Sequence, residues 1–196
     1  MASRRLILIG GSSGSGKSTT AKLLAQALGA GWLQIDTIWV ALQEAFKDDE
    51  RATWMLRVDL RSLSSEYSVE DLVEQQIVAG RFVCSVLPRV FWTDLQRHET
   101  VIADGAWLLP EFAATLSIDD VEVLAAFLHE EDQREVRTSL DSRRANRSPA
   151  PWHEHVACVK WTFGNYLAGE AQSMGRPVVA ARPRETLLER LRAALE

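Results

Sequence analysis

Short apolar runs alternate with stretches of helical periodicity along most of the chain. Five short runs are predominantly apolar: residues 6–9, 32–35, 100–103, 121–128 and 177–181. The first run is apolar at every position, which is typical of a strand buried on both faces of a parallel sheet. Residues 18–28 and 187–195 instead repeat their apolar side chains at helical spacing. This alternation predicts an α/β fold built on a parallel sheet.

The segment from residue 37 to residue 99 is predominantly helical in pattern. Ser68, followed by acidic residues, is a suitable N-cap for a helix that carries a long apolar stripe. Pro88 lies inside that stripe, and we expect it to kink the helix or to split it in two. A basic patch with two prolines at residues 143–151 interrupts two later helical stretches and indicates an exposed excursion, not a domain boundary.

Composition and charge narrow the classes of protein that fit. The 22 basic and 27 acidic residues give a formal net charge of −5, which argues against a nucleic-acid partner. No apolar run reaches the roughly 18–20 residues that span a bilayer, so we expect no membrane partner. Cys84 and Cys158 lie far apart without CxxC spacing. We therefore expect a cytoplasmic protein with one domain over residues 1–196, as a monomer or a homodimer.

A glycine-rich loop directly after the first strand carries the strongest chemical signal. Residues 11–18 match GxxxxGK[ST] in full and open a helix. Glycines allow backbone N–H groups to surround phosphate oxygens, and the helix N-terminus adds further donors. The lysine can reach the β- and γ-phosphates, and the serine hydroxyl can bind Mg²⁺. We expect ATP and Mg²⁺ here, with these cofactor-binding residues: Gly11, Ser12, Ser13, Gly14, Ser15, Gly16, Lys17, Ser18 and Thr19.

Two aspartates follow apolar runs at positions where parallel strands end. Ligands of such sheets bind at the carboxyl ends of the strands, so both carboxylates are expected in the cleft. We assign the catalytic base to Asp36, which also contacts substrate, and a metal or substrate contact to Asp104; the two roles could be exchanged. Asp36 could instead be a helix N-cap, and Asp104 could belong to an Asp-Gly turn.

Arginines are concentrated in one later stretch of the chain. Five arginines against two acids give residues 134–147 a local charge of +3. Guanidinium groups suit the charge that develops on a transferring phosphoryl group. We expect Arg143 and Arg147 to be catalytic and Arg144 to contact substrate. The alternative, a solvated helix face, applies to at least two of the five arginines.

The helical segment at residues 37–99 is the expected wall of an acceptor pocket. It holds tryptophans and arginines spaced among apolar positions. We select Trp39 and Arg81 as substrate-binding residues, for an apolar body and for a carboxylate or phosphate respectively. Core packing of the tryptophan and solvation of the arginine remain open alternatives.

The loop and the strand-end acid together resemble the P-loop small-molecule kinases built like nucleoside monophosphate kinases and shikimate kinase. The resemblance implies a five-stranded parallel sheet in the order 2-3-1-4-5, flanked by helices in three layers. It also implies a lid at residues 134–151 and an adenine contact at Arg182 and Pro183. Residues 101–111 are similar to 2-phosphoglycerate-kinase-like proteins, and the loop followed by Asp36 is similar to chloramphenicol phosphotransferase.

The sequence departs from these families in the region that would recognise the acceptor. No DxD motif follows the second strand, as it would in shikimate kinase, and no acidic motif of the gluconate kinase type replaces it. We therefore expect an ATP-dependent kinase acting on a hydroxyl of a small-molecule acceptor, either a phosphorylated or carboxylated metabolite or an antibiotic-like alcohol. The alternatives are a nucleoside or nucleotide kinase and a nucleotide-dependent regulatory switch with little transfer activity.

Overall fold

Strands and helices follow one another in the predicted alternation. A computed structural model describes residues 4–50, 56, 66–142 and 152–196. The strands are β1 (Arg4–Gly10), β2 (Gly31–Gln34), β3 (Thr100–Gly105), β4 (Val121–His129) and β5 (Val178–Ala180). The helices that bear on the argument are α1 (Lys17–Leu28), α2 (Ile35–Ala45), α3 (Val69–Leu95), α4 (Pro110–Thr115), α5 (Gln133–Ser142), α6 (Trp152–Ser173) and α7 (Leu187–Leu195).

The five strands form one parallel sheet in the order β2-β3-β1-β4-β5. The predicted fold class and strand order are therefore confirmed. β1 lies at the centre, paired on one side with β3 and on the other with β4. A strand in this position has neighbours on both edges and helices on both faces, which explains why residues 6–9 are apolar at every position.

Two hydrophobic clusters separate the helices into layers above and below the sheet. Leu6 and Leu8 point into a cluster shared with α2, α3 and α6. Ile7 and Ile9 point to the opposite face, where they pack with α1 and α7. Alternate residues of one strand thus anchor both layers, as the two-residue period of a strand requires.

Several helix ends agree with their predicted signals. Gly29 ends α1 in the left-handed conformation with φ of 61°. Ser68 caps α3 through a capping box with Asp71. The expectation that Pro88 could split this helix is wrong, because α3 runs through it as one helix of 27 residues. Pro88 lies on the wall of an open surface groove.

The second strand begins and ends one residue earlier than the apolar run at residues 32–35 predicted. Gln34 is the last residue of β2 and also the N-cap of α2, so Ile35 already belongs to the helix. The alternative that Asp36 is the N-cap is therefore wrong; it lies in the first turn. Within the ranges that the structure describes, no helix is both long and apolar enough to cross a bilayer.

Candidate functional site

Strand register brings the predicted residues to one edge of the sheet. Asp104 of β3 is paired with Ile9 of β1 on one side and with Gln34 of β2 on the other. The glycine-rich loop leaves β1 directly after Gly10, and Asp36 follows β2 by two residues. The loop and both acids therefore lie at the carboxyl edge of the central strands, where ligands of open parallel sheets bind.

The loop, residues 11–18, takes a backbone course that only glycine adopts readily. Gly11, Gly14 and Gly16 have φ of 136°, 92° and 85°. A Cβ at Gly11 would collide with the backbone oxygen of Leu128, and one at Gly16 with the Arg184 guanidinium. Gly11 is therefore needed both for its backbone conformation and for space, and Gly16 for its left-handed backbone.

A buried hydroxyl inside this loop has no hydrogen-bond partner among the described residues. Ser15 is 1% exposed, and its Oγ is left unpaired there. The Oγ would lie 3.1 Å from a Cβ placed on Gly11, so it faces the hollow that the missing side chain leaves. An unpaired buried polar atom carries a desolvation cost, and a polar ligand such as a phosphate oxygen would remove it.

Lys17 is the first residue of α1 and is almost fully buried, with 5% of its surface exposed. Its Nζ donates to the backbone oxygen of Ser12 at 3.5 Å, so the side chain folds back over the loop. The Ser12 hydroxyl in turn donates to the backbone oxygen of Lys160 in α6. The loop is thereby fixed to the helix layer that covers it.

Asp104 is buried and holds two hydrogen bonds that orient its carboxylate. Its Oδ2 accepts from the Ser18 hydroxyl at 2.6 Å, and its Oδ1 accepts from the Trp32 indole N–H at 2.7 Å. Asp104 lies inside β3, so the alternative of an Asp-Gly turn beyond the strand is wrong. Hydroxyl and carboxylate oxygens at this spacing are ligands that Mg²⁺ accepts, so the pair could hold the metal.

Asp36 is exposed on the first turn of α2, and Trp39 is buried one turn later. The ring of Trp39 stacks on that of Trp107, with centroids 4.3 Å apart. Trp107 follows β3 by two residues. The predicted acceptor-side tryptophan is therefore packed in the core cluster, and the stacked rings form an apolar wall on the same side of the sheet.

Lys160 of α6 is a site residue that the sequence analysis did not select. Its Nζ donates to Gln76 Oε1 at 2.6 Å and lies 5.9 Å from the centre of the Trp107 ring. Burial lowers the pKa of this ammonium from 10.5 to about 8, with Lys17 lowering it further and Asp36 opposing the change. The charges of Lys17 and Asp36 thus act on the Lys160 ammonium in opposite directions.

The segment after β5 contacts the loop through Arg184, the residue that follows the predicted adenine contacts Arg182 and Pro183. Arg184 donates from its two terminal nitrogens to the backbone oxygens of Ser15 and Gly14. Arg182 instead donates to Glu130 at 3.1 Å and to Glu135, and the backbone oxygen of Pro183 accepts from Arg190. Glu130 also accepts from Arg184 at 3.1 Å. This arginine and glutamate network braces the outer side of the loop.

Arg81 points into a surface groove instead of joining the residues around Lys17. Its guanidinium forms an ion pair with Glu111 of α4 at 2.8 Å, which raises the pKa of Arg81. Cys84 and Pro88 line the same groove. Because a carboxylate already engages this guanidinium, Arg81 is less suited to bind an anionic acceptor than the sequence alone indicated.

The predicted lid is described only in its first part, which is helix α5. Arg137 in that helix forms ion pairs with Asp141 at 2.9 Å and with Glu154 at 2.8 Å, so its charge is balanced locally. The three arginines selected for the cleft lie outside the described residues: Arg143, Arg144 and Arg147. Thr19 of the predicted loop set is exposed on α1, whereas Ser13 is half-buried.

Comparison with known proteins identifies the architecture. No protein-family profile and no curated protein matches the chain. Among solved structures, TT1252 from Thermus thermophilus is 18% identical with a TM-score of 0.54, over 99% of this chain and 96% of that one. Shikimate kinase from Bacteroides thetaiotaomicron is 17% identical with a TM-score of 0.52, over 99% of both chains. The chain has the P-loop kinase fold. At this level of identity the comparison concerns the fold alone.

Within the P-loop kinase fold, the residues that sequence reasoning missed come from far apart in the chain. Trp32, Gln76, Lys160 and Arg184 contact the loop, its acid or one another only after folding. The sequence does contain one indication that Lys160 is unusual. It directly follows Val159, in a helix whose core positions include Val159 and Phe163. A lone lysine beside an apolar stripe is costly to bury without a partner.

Proposed function

We propose that the protein is an ATP- and Mg²⁺-dependent kinase that transfers the γ-phosphate to a hydroxyl of a small-molecule acceptor. The observation that carries the proposal is the arrangement at one sheet edge of the buried Lys17, the Ser18–Asp104 pair and Asp36. Binding of phosphates alone would need only the loop. A second carboxylate, on the first turn of the helix that follows the neighbouring strand, supplies what proton removal from an acceptor requires.

The loop fits the triphosphate of ATP. The glycines take backbone conformations that allow main-chain N–H groups to turn toward a phosphate, and the buried Ser15 hydroxyl has no hydrogen-bond partner among the described residues. Lys17 adds a buried positive charge at the start of α1, where the helix N-terminus also favours anions. In this proposal Lys17 stabilises the β- and γ-phosphate oxygens as charge moves onto the leaving group.

The oxygens of Ser18 and Asp104 fit Mg²⁺. Ser18 and Asp104 would hold the ion, which would supply positive charge to offset that of the phosphates. Asp104 is held in place by Trp32 on its other oxygen, so one carboxylate oxygen stays oriented toward Ser18. The residues proposed to hold the metal are thus positioned before any ligand arrives.

Asp36 is proposed as the base. The acceptor hydroxyl gives its proton to a carboxylate oxygen of Asp36, and its oxygen forms a bond to the γ-phosphorus. The bond between that phosphorus and the β–γ bridging oxygen breaks, and ADP leaves with the bridging oxygen. Trp39 and Trp107 bound the acceptor side and exclude water from it, which limits hydrolysis.

The proposal also includes residues of the lid and of the segment after β5. We propose that Arg143 and Arg147 approach the transferring phosphoryl group, that Arg144 contacts the acceptor, and that Arg182 and Pro183 border the adenine. Arg184 holds the loop from outside and is a positioning residue for the donor.

The test is coupled ADP release with Mg·ATP against a panel of acceptors. The panel spans glycerate phosphates, sugar acids, nucleosides, nucleoside monophosphates and hydroxylated antibiotics. We expect one chemical class to stimulate ADP release, and the stimulation to be lost in Asp36→Asn. Stimulation by nucleosides or their monophosphates would favour the nucleoside kinase alternative. A flat panel together with tight ATP binding would favour a regulatory switch and contradict the proposal.

A further inference from the structure

Lys160 brings a second positive charge to the site without a carboxylate to balance it. Its one described polar partner, Gln76, is neutral, and no ion pair of Lys160 occurs among the described residues. Lys17 repels the ammonium and Asp36, which is exposed, attracts it. The Asp104 carboxylate at the same sheet edge is already engaged by Ser18 and Trp32, so among the described residues the Lys160 ammonium has no carboxylate in direct contact and can take an anion.

The course of the side chain places the ammonium on the acceptor side of the site. The backbone oxygen of Lys160 is bonded by the Ser12 hydroxyl of the loop, whereas its Nζ reaches Gln76 of α3 and the ring of Trp107. α3 is the long helix of the segment that the sequence predicts to bind the acceptor. The backbone of Lys160 thus contacts the donor loop, whereas its ammonium contacts α3 and the ring of Trp107.

Gln76 is held so that its oxygen faces the lysine. The residue is fully buried, and its Nε2 donates to the backbone oxygen of Leu72 at 3.3 Å. With the amide nitrogen committed to the helix, Oε1 accepts from the ammonium at 2.6 Å. A glutamate here would cancel the charge of Lys160, whereas glutamine orients the ammonium and leaves the charge intact.

We propose that Lys160 and Gln76 form a subsite that selects acceptors carrying an anionic group, a carboxylate or a phosphate, near the hydroxyl that is phosphorylated. The proposal rests on the proposed kinase function and names the acceptor class and the residues that recognise it. An ammonium has three N–H donors and Gln76 takes one of them, so two can bind the oxygens of the acceptor anion. The bound anion would also relieve the repulsion between the two lysines.

The experiment uses acceptors in matched charged and neutral pairs. One arm compares hydroxy acids with their amides, and the other compares phosphorylated polyols with the free polyols. The variants are Lys160→Met, Lys160→Arg and Gln76→Glu, and the matched control is Lys47→Met, an exposed lysine outside the site. Each variant is first checked for an unchanged melting transition.

For Lys160→Met we expect kcat/KM for the anionic acceptors to fall about 10- to 100-fold, mainly through KM, because a charge-assisted contact is lost. The KM for ATP and the activity on neutral partners should change little. Lys160→Arg should recover most of the preference for anions. Gln76→Glu should lose that preference although the lysine is retained, a result that a purely structural role of Lys160 would not produce.

Two results would overturn the subsite. One is a wild-type enzyme that phosphorylates charged and neutral partners equally well. The other is a Lys160→Met variant that loses kcat and acceptor-free ATP hydrolysis alike, because that pattern places the ammonium on the transferring phosphoryl group. Whichever arm, carboxylate or phosphate, shows the larger loss identifies the anion.

A binding measurement separates failure of the subsite from failure of the kinase proposal. Trp107 lies beside the ammonium, so intrinsic fluorescence can be titrated with the same acceptors. Anion binding that is lost in Lys160→Met, without turnover of any acceptor by the wild type, would retain the subsite and overturn the kinase. Turnover without any preference for charged acceptors would support the kinase proposal and overturn the subsite. Absence of anion binding by the wild type would also overturn the subsite.

Discussion

Under the proposed function, the donor side of the site relies on main-chain groups together with Lys17 and Ser18, whereas the acceptor side relies on side chains alone. On the donor side, residues 11–18 present main-chain groups held by glycine backbone geometry. On the acceptor side, Trp39, Gln76, Trp107 and Lys160 contribute side chains from four separate segments. Main-chain recognition tolerates little change, because the backbone itself is the ligand-binding surface. Side-chain recognition can be altered residue by residue, so acceptor choice can change while the donor site stays the same.

Asp36→Asn tests the acceptor side and is expected to have the largest effect of the substitutions. We expect turnover to fall by about two to four orders of magnitude with little change in ATP affinity, because the amide cannot accept the acceptor proton. Steady-state kinetics and ATP titration measure the two effects. Asp48→Asn, at an exposed acid beyond α2, is the matched control. A loss smaller than about tenfold would move the base elsewhere, first to Asp104.

Lys17→Ala tests the donor side. Removal of this buried ammonium should lower phosphoryl transfer by about 10²- to 10³-fold while leaving the fold intact. Transfer rate, calorimetric ATP titration and thermal unfolding report the three quantities. Lys47→Ala removes an exposed lysine and should match the wild type. A Lys17→Ala protein with full turnover would contradict the assignment of the loop as the donor site.

Trp32→Phe tests whether the orientation of Asp104 matters for the metal. The substitution removes the indole N–H that donates to Oδ1 at 2.7 Å and leaves a buried carboxylate oxygen unpaired. The Mg²⁺ concentration for half-maximal activity should rise about 10- to 100-fold, as is usual when a partner of a metal ligand is lost. Trp92→Phe, at an exposed tryptophan, is the control. Equal Mg²⁺ dependence in both variants would remove Trp32 from the site.

The smallest effect is a pH dependence on the acceptor side. The pKa of Lys160 is lowered to about 8, chiefly by burial and then by Lys17, with Asp36 opposing, while its neighbours Gln76 and Trp107 are uncharged. The ammonium loses its proton as pH rises through that value. The kcat/KM for anionic acceptors should therefore fall about tenfold per pH unit above it. Lys160→Arg should flatten this fall, and an unchanged profile would assign it to another group.

The difference between the two sides of the site also explains which features could be predicted from the sequence. The strands and the glycine-rich loop were predictable, because buried strands and phosphate loops leave contiguous patterns, whereas the strand order followed from the resemblance to P-loop kinases. Asp104 was predictable as a strand-end acid, although its partner Trp32 was not, since that bond depends on how β2 lies beside β3. Local patterns carry local geometry well.

The acceptor side was less predictable, because its geometry depends on tertiary contacts. Trp39 was selected as a substrate-binding residue, but the structure packs it in the core cluster, and its stacking on Trp107 requires the turn after β3. Arg81 was selected for its charge, and only the fold shows that Glu111 engages it. Lys160 is 84 residues from Gln76 in the chain, so no local pattern could pair them.

The contact of Arg184 with the loop has a consequence for the order in which the site is completed during synthesis. The loop lies near the start of the chain, whereas the guanidinium that holds the carbonyls of Gly14 and Ser15 comes 170 and 169 residues later. A nascent chain therefore carries the whole nucleotide-binding motif long before it carries the group that braces it. A ribosome-bound chain that ends before Arg184 holds a recognisable motif and an unfinished binding site.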